Sequence, residues 1–151
     1  MKLLVLACSL LSIVLCVPLT LNVVQDRFKT ALLQNDLVAI RATMDLGADV
    51  NQIMDDGRYP IHLLVDTAPI VCLNNHFCYQ DLLQEMINLG ADVNARGQYG
   101  ESALHLAVHN IDLISTGMLL SDGADINAMD NGGFTPFYVA LKTRNKDYWS
   151  Y

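Results

Sequence analysis

The sequence predicts an all-α solenoid of helix-turn-helix units joined by hairpin loops, with about three repeats followed by a C-terminal half repeat. Two observations carry this. The string Gly-Ala-Asp-Val/Ile-Asn occurs at 47–51, 90–94 and 123–127, and Gly57, Gly100 and Gly133 keep the same intervals of 43 and 33 residues. The shorter interval is a period at which a turn and two short helices stack on their neighbours. The longer one is the same unit carrying ten extra residues, which the register places at 68–77.

The units run approximately over 22–51, 57–94, 100–127 and 133–151. The first supplies a helix pair without the opening hairpin, and the last has room for one helix and a short tail. Two residues after each second landmark comes a four-residue block: Tyr59-Pro60-Ile61-His62, Ser102-Ala103-Leu104-His105 and Thr135-Pro136-Phe137-Tyr138. Ser or Thr caps the free amides of a helix start, Pro is tolerated at the first helical position, and the apolar third residue enters the core. Tyr59 has no such cap to offer, so the first helix of the second unit is expected to fray more readily. At the other end of each unit Gly closes a helix in the left-handed conformation, and Asp and Asn suit the turn that follows. Between these markers lie apolar helix faces, such as Leu82, Leu83, Met86 and Ile87, then Leu113, Ile114, Met118 and Leu119.

On these landmarks the chain resembles the ankyrin-repeat family, Ser102-Ala103-Leu104-His105 and Thr135-Pro136 standing for the family's Thr-Pro-Leu-His element. The resemblance covers about Asn22 to Lys142. It implies hairpin fingers and a concave face that grip another protein, and a structural His that ties neighbouring repeats by hydrogen bonds. Tyr138 stands in place of that His, which implies a looser last junction. At the turn between paired helices the first unit has Asn35-Asp36, and Asn tolerates the left-handed conformation. In the third unit strict register puts Ile111 there; Asn110, one residue earlier, suits the turn better.

Met1 and Lys2 precede an apolar run from Leu3 to Val17, the pattern of a secretory signal peptide over 1–16, leaving a repeat domain at 17–151. An uncleaved anchor is the alternative, although the run is short for a spanning helix. No Asn-x-Ser/Thr acceptor occurs, and the expected location is secreted, extracellular. Removal of 1–16 leaves two cysteines, Cys72 and Cys78, in or beside the insertion. In an exported chain such a pair argues for a disulfide, whose short loop would remove unfolded-state entropy worth about 2 kcal/mol. Metal binding through Cys72, His76 and Cys78 offers three ligands where a structural zinc site wants four, and free thiols are the third possibility.

No catalytic constellation emerges, and neither an enzyme nor a cofactor is expected. His105 and His109 stand at i and i+4 without the carboxylate that would complete a metal site, and Ser102, His105 and Asp112 lack the sequence of a nucleophile elbow. The net charge of −7 opposes nucleic acid and anionic membrane surfaces. With Lys2 removed, 8 cations face 16 acidic residues, and three of the 8, Lys142, Arg144 and Lys146, cluster near the C-terminus. A basic protein surface is a natural partner for the rest.

Candidate contact residues follow from the finger positions: Arg58 on the first, Arg96 and Tyr99 on the second, Met129 and Phe134 on the third. Aromatic and Arg side chains are the usual energetic anchors of interfaces. Six of the eleven aromatic residues, Trp149 among them, fall in the last eighteen positions. Either Tyr148, Trp149 and Tyr151 fold back as a cap, or an apolar end pairs with a second copy or a target. The expected function is a secreted, non-enzymatic binding module for a protein partner, an effector in one reading, and a monomer or weak homo-oligomer. The alternative is an assembly protein that oligomerises through its aromatic end.

Overall fold

A computed structural model describes the backbone of residues 22–71 and 76–144, and the side chains within those bounds except 68–71 and 76–79. Residues 1–16, expected to form a signal peptide, lie outside the described residues, as do Cys72, Trp149 and the side chain of Cys78. The structure is all-helical among the described residues, and it divides into two compact units, one up to Asp49 and one from Val50.

In the first unit α1 spans residues 22–34 and α2 is Leu37–Asp45. Asn35 turns the chain between them at φ 55°. Asp36 then caps α2, its carboxylate accepting the amides of Val38 and Ala39 at 3.0 Å each. Phe28, Ala31, Leu32 and Ile40 are buried. The Gln25 amide clamps Asp49, donating to its carbonyl at 2.9 Å and accepting its N–H at 3.1 Å.

In the second unit the helices are α3 Pro60–Val71, α4 His76–Asn88, α5 Ala103–His109, α6 Leu113–Ser121 and α7 Pro136–Arg144. Helices α3, α5 and α7 pack in sequence as an inner row, and α4 and α6 pack on each other and on the inner helices. Ile61, Leu64, Leu82, Leu83, Met86, Leu104 and Leu119 fill the core. The ten extra residues do not simply form a loop between α3 and α4. α3 continues five residues past Asp66, which matches the end of α5, and α4 begins four residues before Gln80, which matches the start of α6.

The turn of the third unit overturns the expectation for Asn110. Ile111 takes the left-handed conformation at φ 58°, whereas Asn110 stays right-handed at φ −82°. Asp112 explains why register prevails over residue preference: its carboxylate accepts the amides of Ile114 and Ser115, as Asp36 does on α2, and moving the turn forward would detach that cap.

Candidate functional site

Three tight turns, at 54–58, 97–101 and 130–134, project between the helix pairs. Each is closed by an amide from its first residue to the carbonyl of its last: Met54 to Arg58 at 2.9 Å, Gly97 to Glu101 at 2.8 Å, Asp130 to Phe134 at 3.0 Å. The tips are tied by side chains of their own. The Asp130 carboxylate accepts the amides of Gly132 and Phe134, and the Glu101 carboxylate accepts that of Tyr99 at 2.8 Å. Neighbouring fingers are in register, since the Asn131 amide donates to the Tyr99 carbonyl at 2.9 Å.

Two sets of side-chain bonds run between successive repeats, one to the second and third fingers and one between copies of the repeated motif. His62 accepts the Tyr59 N–H on Nδ1 at 3.2 Å, tying the residue before α3 to its first turn. Nδ1 is therefore the unprotonated nitrogen, and Nε2–H donates to the Glu101 carbonyl at 3.1 Å. His105 repeats the arrangement, with Nδ1 on the Ser102 N–H at 3.1 Å and Nε2 on the Phe134 carbonyl at 3.0 Å. The tie thus runs forward from each His to the next finger, and His105 makes the junction that the Tyr138 substitution was expected to loosen. Asn51 and Asn94 form the second set. Asn51 bridges the Gly90 carbonyl and the Asp92 N–H at 2.9 and 2.8 Å, and Asn94 bridges those of Gly123 and Asp125 at 3.1 and 2.8 Å.

The candidate contact residues separate into free and engaged. Tyr99 is 70% exposed, Met129 58% exposed, and Arg96 is exposed too. Arg58 is engaged, with ion pairs to Asp56 at 2.9 Å and Asp66 at 2.8 Å. Burial alone would lower its pKa, but the hydrogen bonds and charges of the two aspartates outweigh it and raise the value. Phe134 stacks on Tyr138 with ring centroids 4.6 Å apart, and the Lys142 ammonium stands 5.6 Å from the Phe134 centroid. Its ring is packed against α7 more than it is offered to solvent.

One first-finger residue left out of the candidate contacts belongs to this surface. Ile53, 56% exposed, occupies on the first finger the place that Arg96 and Met129 occupy on the second and third, two residues after the motif Asn in each case. That constant offset was the signal. Ser102 and His105 lie close, Oγ to Nδ1 at 2.8 Å, but both are buried, and Asp112 directs its carboxylate to the start of α6. This pair is a helix cap in contact with a structural imidazole.

The family model described as "Ankyrin repeat" matches residues 99–131. Among curated proteins the chain is similar to two ankyrin repeat proteins of fowlpox virus (strain NVSL). One is 31% identical over 111 residues, covering 72% of this chain and 30% of the relative, and the other 34% identical over 87 residues, covering 55% and 20%. It is also similar to neurogenic locus notch homolog protein 2 of Homo sapiens, at 31% over 120 residues, covering 62% of this chain and 5% of that protein. The chain therefore spans less than a third of the length of these relatives.

Proposed function

The chain belongs to the ankyrin-repeat family, whose repeats are protein–protein interaction modules, and from that premise we propose that it captures a protein partner through its fingers. The observation that carries this reading is the exposed row of Ile53, Arg96 and Met129 at one position on three successive fingers, with Tyr99 beside it. Rigid tips displaying aromatic, apolar and Arg side chains lose little entropy on binding and match the composition of interface anchors. The acidic balance of the chain favours a partner with a basic surface.

Tyr99→Ala and Arg96→Ala test it. Each is expected to weaken capture of the partner by about 30-fold, the equivalent of about 2 kcal/mol at an interface anchor, with the melting temperature unchanged. Capture that survives both substitutions undiminished removes the fingers as the binding surface.

Secretion belongs to the same proposal. It is supported by the charged and apolar pattern of residues 1–16 and by the two cysteines that remain beyond it. An effector acting outside the producing cell is the role such a module would fill. Intact mass spectrometry of the protein recovered from the medium should report a start after residue 16 and a mass two hydrogens below that of the dithiol form. An intact N-terminus with free thiols would overturn it.

A further inference from the structure

Ile53, Arg96 and Met129 each stand one residue before the amide that closes a finger, those of Met54, Gly97 and Asp130, so the same turn presents all three. The fingers lead directly into α3, α5 and α7, which pack in sequence. Packed helices stand about 8–10 Å apart, and the row therefore repeats at about that interval. Bonds from Asn131 to the carbonyls of Tyr99 and Gln98 hold the second and third tips together. The middle position differs from its neighbours in charge. Arg58 is already paired with Asp56 and Asp66, the Glu101 carboxylate accepts the Tyr99 amide, and that of Asp130 accepts the amides of Gly132 and Phe134. Among the described residues no carboxylate forms an ion pair with the exposed Arg96.

On the reading of the fingers as the binding surface, we propose that the row takes an extended, polyproline II segment of the partner, in which an acidic residue has an apolar residue three positions away on each side. Three residues of such a segment advance about 9.3 Å and complete one turn, so positions i, i+3 and i+6 face the row together. The carboxylate meets Arg96, and the apolar side chains meet Ile53 and Met129. A β-strand has the reach, but its alternation turns the i and i+3 side chains to opposite faces. An α-helix docks through a continuous apolar stripe of i, i+3, i+4 and i+7 anchors, whereas the tips here also present the exposed polar residues Gln98 and Asn131. Tyr99, 70% exposed, adds the aromatic surface on which proline-rich segments of this conformation dock. The acidic excess of the whole chain acts at longer range, on the remainder of the partner.

Fluorescence anisotropy with labelled synthetic peptides tests this. The probe Leu-Pro-Ala-Glu-Pro-Ala-Leu should bind saturably to the purified protein, and the same peptide with Lys in place of Glu should bind about 10-fold more weakly. Arg96→Glu should reverse that order and make the Lys peptide the better ligand, a rescue that a misfolded variant could not give. Moving Glu one place along the probe, in either direction, should also weaken binding about 10-fold, because the carboxylate then leaves the face that meets the row. The proposal is overturned by a probe that does not bind saturably, by binding indifferent to the charge or position of Glu, or by an order that Arg96→Glu leaves unchanged. Preference for a helical peptide carrying the same three residues seven apart overturns it as well. The finger surface is judged separately: a full-length partner lost to Tyr99→Ala and Arg96→Ala, with no peptide bound, leaves the fingers in place and removes only the extended segment.

Discussion

A β-branched residue in the left-handed region is held there against its preference, and Ile111 at φ 58° is such a case. An L-residue other than Gly or Asn incurs about 1–2 kcal/mol in that conformation. Ile111 is 70% exposed, so its side chain returns little packing in exchange. Ile111→Asn should therefore stabilise the protein by about 1 kcal/mol, raising Tm by about 2–4 °C in a thermal melt. No change would mean that the turn relaxes without strain in solution. His62 is the second residue whose chemistry is set by its place. Its pKa is lowered, first by burial and then by Arg58, against the pull of the Glu101 charge and of the Glu101 and Ala95 carbonyls. The unfolded chain therefore binds a proton at His62 more readily than the folded one, and stability rises with pH through this group. Its contribution is complete above the ordinary value of 6.5 and is lost as pH falls through 6.5 toward the depressed folded value. Urea midpoints at pH 7.5 and 5 should show a drop on acidification that is smaller in His62→Gln, because protonated Nδ1 can no longer accept the Tyr59 amide. An equal drop in both proteins would place the acid sensitivity elsewhere.

Two of the outer helices, α2 and α6, depend on one carboxylate at their start. Asp36 on α2 and Asp112 on α6 each accept two free amides of the first turn. Asp112→Ala should cost about 1 kcal/mol, and up to about 2 in a well-formed cap, read as a lowered urea midpoint with the slope unchanged. At this scale much of the fold was legible, because helix starts and stops are chemistry that a single residue performs. The motif glycines of the three units close their helices at φ 87–94°, as their composition implied. What could not be read were the roles that need a partner distant in sequence. Asn51 looks like any turn residue until the Gly90 carbonyl and Asp92 amide are beside it, 39 and 41 residues away. Arg58 reads as a free finger cation until Asp66, nearly two turns into α3, meets it. Ile111 was misjudged for the opposite reason: local preference favoured Asn110, and the position of the Asp112 cap overruled it. The fingers themselves were legible from the period, whereas the sorting of their side chains into exposed and engaged depended on packing.

At the scale of the molecule, the second unit is joined by short links of the same kind repeated along the stack. His62 reaches the second finger and His105 the third, while Asn51 and Asn94 bridge consecutive copies of the repeated motif. In such an array each repeat answers to its neighbours, and stability is close to a sum of repeat and interface contributions. Severing one link should therefore act locally. His105→Ala removes the acceptor of the Ser102 amide and the donor to the Phe134 carbonyl, and with them the registration of the third finger and α7 against α5. Hydrogen exchange should then quicken first at the Asn131 amide, which bonds to the Tyr99 carbonyl, and along α7. Amides in the first turns of α3 and in the body of α4 should keep most of their protection, because their own link through His62 is intact. A uniform loss of protection across α3 to α7 would show instead that the unit opens as one cooperative body. In that case the repeated His links serve a single folding transition, and partner binding at the fingers would stabilise every helix behind them equally.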